Sequence, residues 1–137
     1  MLLREERLDG VHPALVDVIK LGAELYGQET GQDVTVLEGV RTKERQAELV
    51  AKKASRTMKG RHLVQACGFG CAVDVAPVLD TDGDGDKEVS WHWPHYHDLA
   101  KYIKDAAQTL DVPVEWGGDW KSFPDGPHWQ LPWSEFP

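Results

Sequence analysis

The sequence predicts an α+β domain. Three segments, 13–27, 43–54 and 95–110, repeat apolar residues at helical spacing. Short alternating segments at 34–37, 71–77, 112–116 and 128–131 read as strands. The two kinds are mixed without the strand–helix–strand rhythm of a doubly wound parallel sheet.

Pro13 suits a first helical position, and Leu15, Val18, Ile19, Gly22, Leu25 and Tyr26 form the inner stripe of the first helix. The turn QETGQD leads into the strand over 34–37, which ends at Glu38-Gly39. Thr42 is an apt N-cap for the second helix, 43–54, with Ala47, Val50, Ala51 and Ala54 facing inward. Residues 55–70 lack a period and read as a loop. In 71–77 the alternation puts Cys71, Val73 and Val75 on one face and Ala72, Asp74 and Ala76 on the other. A carboxylate between two alanines marks a crowded site. Residues 80–88 are a turn. The third helix carries Leu99, Tyr102, Ile103, Ala106 and Leu110 inward, with Pro94 in its first turn and Trp91, Trp93 and Tyr96 anchoring it. Gly117-Gly118 break the strand over 112–116, a loop fills 119–127, and 128–131 places His128 and Gln130 on one face.

The chain has 137 residues, enough for one domain, so 1–137 is read as a single catalytic unit without a separate wall-binding module. Its 15 Lys+Arg against 23 Asp+Glu leave a net charge of −8, which argues against a nucleic-acid partner. No apolar run approaches the ~18 residues of a membrane helix, so membrane insertion is not expected. MLLREERLDG is charged where a signal peptide is apolar, so synthesis in the cytoplasm without such an address is expected. A monomer is expected. Six Trp and six His are the compositional oddity.

His62, Asp74, Asp125 and His128 are the residues best suited to chemistry. A catalytic zinc takes three protein ligands and keeps a fourth position open. Two imidazoles and one carboxylate supply that set, and the metal activates water and polarises a carbonyl. A second carboxylate must then stand nearby as general base. Asp125, three residues before His128 across a Gly-Pro turn, suits that task. Spacing alone also admits ordinary surface and turn residues at these positions.

The segments LEGVRTKERQAELV, GRHL…GCAVDVAP, WHWPHYHDLAKYIKDAA and WGGDWKSFPDGPHWQLP occur in that order. Together they resemble the small phage endolysins of the zinc D,D/L,D-peptidase family, L-alanyl-D-glutamate peptidases related to D-alanyl-D-alanine carboxypeptidases and dipeptidases. The likeness runs from about residue 34 to 134. It implies a small antiparallel sheet carrying the metal, packed with about three helices. It implies zinc on His62, Asp74 and His128, with Asp125 as base. It also implies that Arg41 grips a substrate carboxylate or the oxyanion through charge-assisted hydrogen bonds. The substrate implied is the stem peptide of peptidoglycan, cut during host lysis by an enzyme released through a membrane lesion. A carboxypeptidase of the same chemistry is the alternative, and a non-catalytic metal-stabilised binding module a third reading that the presence of Asp125 disfavours.

One departure concerns spacing. Eleven residues separate His62 from Asp74, more than is usual in the family, and the extra ones fall within VQACGF. Such an insertion is tolerable if it bulges away from the metal. It brings in Cys67 and Cys71, readable as reduced thiols, a short disulfide, or competing zinc ligands. The segment DTDGDGDKE sets Asp80, Asp82, Asp84 and Asp86 close together, like the first half of a calcium loop, but Trp91 stands where the closing Glu would be. Calcium on this loop and a simple acidic turn are both open. His92, His95 and His97 read as the start of the third helix rather than a second metal site. Trp116 and Trp129 read as core, and Trp120 as a wall of the substrate groove.

Overall fold

The computed structural model describes residues 1–52 and 60–137. In chain order it has β1 (Leu2–Leu3), α1 (Pro13–Thr30), β2 (Asp33–Glu38), α2 (Lys43–Ala51), β3 (Ala72–Leu79), β4 (Glu88–Val89), α3 (Trp93–Leu110), β5 (Glu115–Trp116) and β6 (His128–Gln130). The α+β expectation holds, with three α-helices and one six-stranded sheet among the described residues. The strand order is β1-β2-β3-β6-β5, and β4 pairs with the far end of β3. The sheet is mixed rather than wholly antiparallel. Leu2 and Leu3 of β1 lie parallel to Val34 and Thr35, while the other pairings are antiparallel. A two-residue edge strand has no periodicity to announce it.

The first and third helices form where their stripes predict. α1 extends to Thr30, whose hydroxyl donates to the Tyr26 carbonyl and accepts from the Gln32 amide. Leu15, Val18, Ile19 and Tyr26 are buried, and Gly22 lets α3 approach closely. A Cβ on Gly22 would meet the Ile103 Cα at 2.9 Å. From α3, Tyr96, Leu99, Ala100, Ile103 and Ala106 complete this core, and Tyr102 meets Tyr26 edge-on. Trp91, 70% exposed, does not anchor the helix as expected, whereas Trp93 stacks on buried Trp116 at 6.3 Å although 43% exposed, and Tyr96 anchors through a hydrogen bond to the Ser90 carbonyl.

α2 is capped as predicted, Thr42 accepting from the Arg45 amide at 3.0 Å. Its inner side differs. Ala47 and Ala51 are exposed and Val50 only half-buried, while Gln46 is fully buried. The inward contact is polar because Gln46 accepts a hydrogen bond from Arg41. Ala54 and the start of the 55–70 loop lie outside the described residues. β3 is buried on both faces: Val73 and Val75 join the helical core, and His62, Arg41 and His128 gather beside Asp74 on the other. Among the described residues, no helix is long and apolar enough to cross a membrane.

Candidate metal centre

Sheet register assembles the site. Asp74 at the start of β3 lies opposite Glu38 of β2 and opposite His128 of β6. One row across three strands thus holds two carboxylates and an imidazole. His62 comes from an irregular segment locked into place by its backbone. Its carbonyl accepts from the Arg41 amide at 2.8 Å, and the carbonyl of Arg61 accepts from the Cys71 amide at 2.8 Å. The preceding side chain reinforces this. Arg61 is 3% exposed, donates to the carbonyls of Leu131 and Phe136 and to Gln65 Oε1, and lies 4.1 Å over the Trp133 ring.

His62 Nε2 stands 3.2 Å and His128 Nδ1 3.3 Å from Asp74 Oδ1, and the two rings are 5.1 Å apart. The other nitrogen of each ring is committed. His62 Nδ1 donates to the Gly39 carbonyl at 2.8 Å, and His128 Nε2 donates to Gln130 Oε1 at 2.7 Å. Each neutral ring therefore turns a lone pair toward the carboxylate. Asp74 Oδ1 is buried and has no hydrogen-bond partner. Buried polar atoms left without partners are rare and point to an absent ligand. Ligand atoms of the three residues lie within 4.8 Å of one another. Tetrahedral bonds of about 2.0–2.2 Å put ligand atoms about 3.3–3.5 Å apart, close to the two separations seen here. The donor set fits a divalent cation.

When a ring is protonated the same contact becomes attractive, and the electrostatics report that form. Burial pushes the Asp74 carboxyl up, but His128 and His62 outweigh it and hold the group well below the usual carboxylate range. Burial also raises the Asp125 carboxyl, and the negative charge of Asp74 raises it further. Asp125 is thus the carboxylate of the site with the stronger hold on a proton. Its loop is pinned firmly. The Asp125 amide donates to the Gly117 carbonyl at 2.9 Å, Trp116 Nε1 donates to the Gly126 carbonyl at 2.7 Å, and the Pro127 carbonyl accepts from Val75 at 3.0 Å. A Cβ at position 117 would come within 2.4 Å of the Asp125 carbonyl, so this approach requires glycine.

Arg41 lies beside the cluster but is already engaged. It forms a two-point pair with Glu38 at 2.8 and 2.9 Å, donates to Gln46 at 2.8 Å, and stands 3.9 Å from Asp74 Oδ2. Trp116 and Trp129 are buried and stacked, and Trp120 packs on the His128 ring at 5.0 Å. The spacing between His62 and Asp74 is absorbed outward: Val64, Cys67 and Phe69 are exposed on a turn closed by the Gln65 amide donating to the Phe69 carbonyl. Both cysteines are free, and burial pushes the Cys71 thiol up to about 11.

In the acidic loop the converging group is Asp80, Asp82, Asp84 and Glu88, so Asp86 is not part of it. The loop satisfies its own carboxylates. Asp80 accepts from Gly83 and Gly85, Asp82 from Asp84, Asp84 from Asp86, and Glu88 from Thr81. The Gly85 amide leads in holding the Asp80 carboxyl below its ordinary value. The three histidines around α3 do not converge on one point: His95 bonds Ser90, and His97 meets Trp116 edge-on.

Sequence reading did not assign Arg61, Glu38, Gln46 or Gln130. Arg61 sits inside GRHL but its partners are carbonyls 70 and 75 residues away, whereas Glu38 pairs with Arg41 three residues on within LEGVRT. Only the parity of His128 and Gln130 offered a signal.

A family model described as phage L-alanyl-D-glutamate peptidase matches residues 3–129. The chain is 34% identical over 106 residues to the L-alanyl-D-glutamate peptidase of Listeria phage A118, across 77% of this chain and 33% of that protein. It therefore spans about a third of that relative's length. It is 32% identical over 137 aligned residues to the peptidoglycan L-alanyl-D-glutamate endopeptidase CwlK of Bacillus subtilis strain 168, across 88% of this chain and 73% of that one. The solved structure of the Serratia marcescens L-Ala D-Glu endopeptidase ChiX superposes with a TM-score of 0.80 at 37% identity, covering 100% of this chain and 94% of that chain.

Proposed function

The chain belongs to the phage L-alanyl-D-glutamate peptidase family, and on that premise we propose that it is a zinc endopeptidase cutting the L-alanyl–D-glutamate bond of peptidoglycan stem peptides. The observation that carries the reading is Asp74 Oδ1, buried without a hydrogen-bond partner between two imidazole nitrogens. His62 Nε2, Asp74 and His128 Nδ1 are the ligands. Bound there, zinc supplies Lewis acidity, polarising a carbonyl and making water acidic near neutral pH.

The protein's own groups do the rest. Asp125 takes a proton from the attacking water and returns it to the leaving amine, a shuttle favoured by a carboxyl held above its ordinary value. Arg41, braced by Glu38 and Gln46, stabilises developing negative charge on the substrate. Trp120, packed against His128, lines the approach of the peptide. The enzyme acts as a monomer on the wall of a phage-infected host, reached through a membrane lesion made by another protein. The acidic loop is left as a turn, because its carboxylates already bond to the backbone.

Two measurements test this. Elemental analysis should give one zinc per chain, and mass spectrometry of fragments from defined peptidoglycan should reveal new L-alanine carboxyl and D-glutamate amino ends. Release of terminal D-alanine alone would replace the endopeptidase by a carboxypeptidase.

A further inference from the structure

The ligand His128 is backed by two further residues. Its Nε2–H donates to Gln130 Oε1 at 2.7 Å, and Gln130 Nε2 donates to Glu115 Oε2 at 3.2 Å. Gln130 and Glu115 are direct cross-strand partners of β6 and β5. Gln130 is 7% exposed, whereas Glu115 is on the surface.

A glutamine amide is ambivalent, since turning it over exchanges an acceptor for a donor. If Gln130 presented its NH2 group to His128, Nε2 would have to accept. The proton would then move to Nδ1, the nitrogen that faces Asp74 Oδ1. That tautomer has no lone pair for a metal. A carboxylate only accepts, so Glu115 holds the NH2 group of Gln130 on its own side and leaves Oε1 for the histidine.

We propose that Glu115 and Gln130 are positioning residues that hold His128 in its metal-binding tautomer. A surface carboxylate thereby selects which ring nitrogen faces the ion, through an amide that carries no charge to the site. The inference rests on the zinc reading given above. Partners behind a metal-ligating histidine typically change metal affinity by about 10–100-fold when removed.

Zinc affinity, measured by competition with a chromophoric chelator, tests it alongside the melting temperature of the metal-free protein. Gln130→Met should weaken zinc by about 10–100-fold. Glu115→Ala, a surface change that leaves the core intact, should weaken it several-fold with little change in metal-free melting temperature. Glu115→Gln, whose amide can present an acceptor or a donor, should restore affinity only in part. The cobalt(II)-substituted protein should show an altered visible spectrum in the first two variants. Wild-type affinity and spectrum in both would overturn the inference while leaving the metal site standing. If Gln130→Met does not fold, Glu115→Ala decides alone. A wild-type protein that takes up no zinc would sink the metal site and this inference together.

Discussion

Among the described residues two clusters bring their ligand atoms within 4.8 Å, one of two imidazoles and a carboxylate and one of carboxylates alone, and they are built on opposite plans. At His62, Asp74 and His128 the side chains are largely buried, the outer ring nitrogens are tied to Gly39 and Gln130, and one carboxylate oxygen is left over. At Asp80, Asp82, Asp84 and Glu88 the loop is exposed and its carboxylates bond to neighbouring amides. Proximity of ligand atoms is common to both, so it does not distinguish a binding site from a turn. Unmet valence in a buried, oriented set does. Water can solvate the loop's charges, but not Asp74 Oδ1.

The largest effect that sharpens this contrast is expected from His128→Ala. It should abolish both zinc and turnover; stoichiometric zinc in that variant would rule out the ligand assignment. Asp125→Ala should separate binding from chemistry, lowering kcat by about 10²–10⁴-fold with zinc content unchanged. Undiminished lysis of purified peptidoglycan would remove Asp125 from the mechanism.

The next effect depends on pH. In the metal-free protein His128 titrates above its ordinary 6.5: burial opposes its charge, but Asp74 more than offsets that. A raised folded value adds stability fully present below about pH 6.5 and lost as pH rises through the folded value. Asp74 is lowered, so its contribution is full above about pH 3.8 and is lost only as pH falls from there through the folded value. Melting temperature with chelator should therefore fall as pH rises from about 6.5 through the raised folded value. With excess zinc the trend should reverse, because the metal competes with protons for the imidazoles. Parallel slopes in calorimetry would break the comparison. The smallest effect belongs to the loop. Asp82→Asn and Asp84→Asn should change stability by no more than about 0.5 kcal/mol, and millimolar calcium should not move the melting temperature. A rise of several degrees would make the loop a second ion site.

The long helices were legible because Leu15, Val18, Ile19 and Tyr26, like Leu99, Ile103 and Ala106, repeat with the helical period and are buried for that reason. The candidate ligand group His62, Asp74 and His128 was legible from its chemistry and from the family's segments. Less could be read where a residue's task is set by one particular polar partner, near or far in sequence. Gln46 faces inward because Arg41 waits there, against the apolar stripe that Ala47 and Ala51 suggest. Arg61 is buried by carbonyls 70 and 75 residues away in sequence. The role of Glu115 depends on the register of two very short strands. Such pairings leave no trace in local periodicity.

Because His62 is fastened by Arg41 and by the backbone joining Arg61 to Cys71, residues in the exposed turn between them can be changed with little displacement of His62 or Asp74. The exposed tip at Val64 to Phe69 is, by the same token, a place where foreign peptide could be grafted at little risk to the metal.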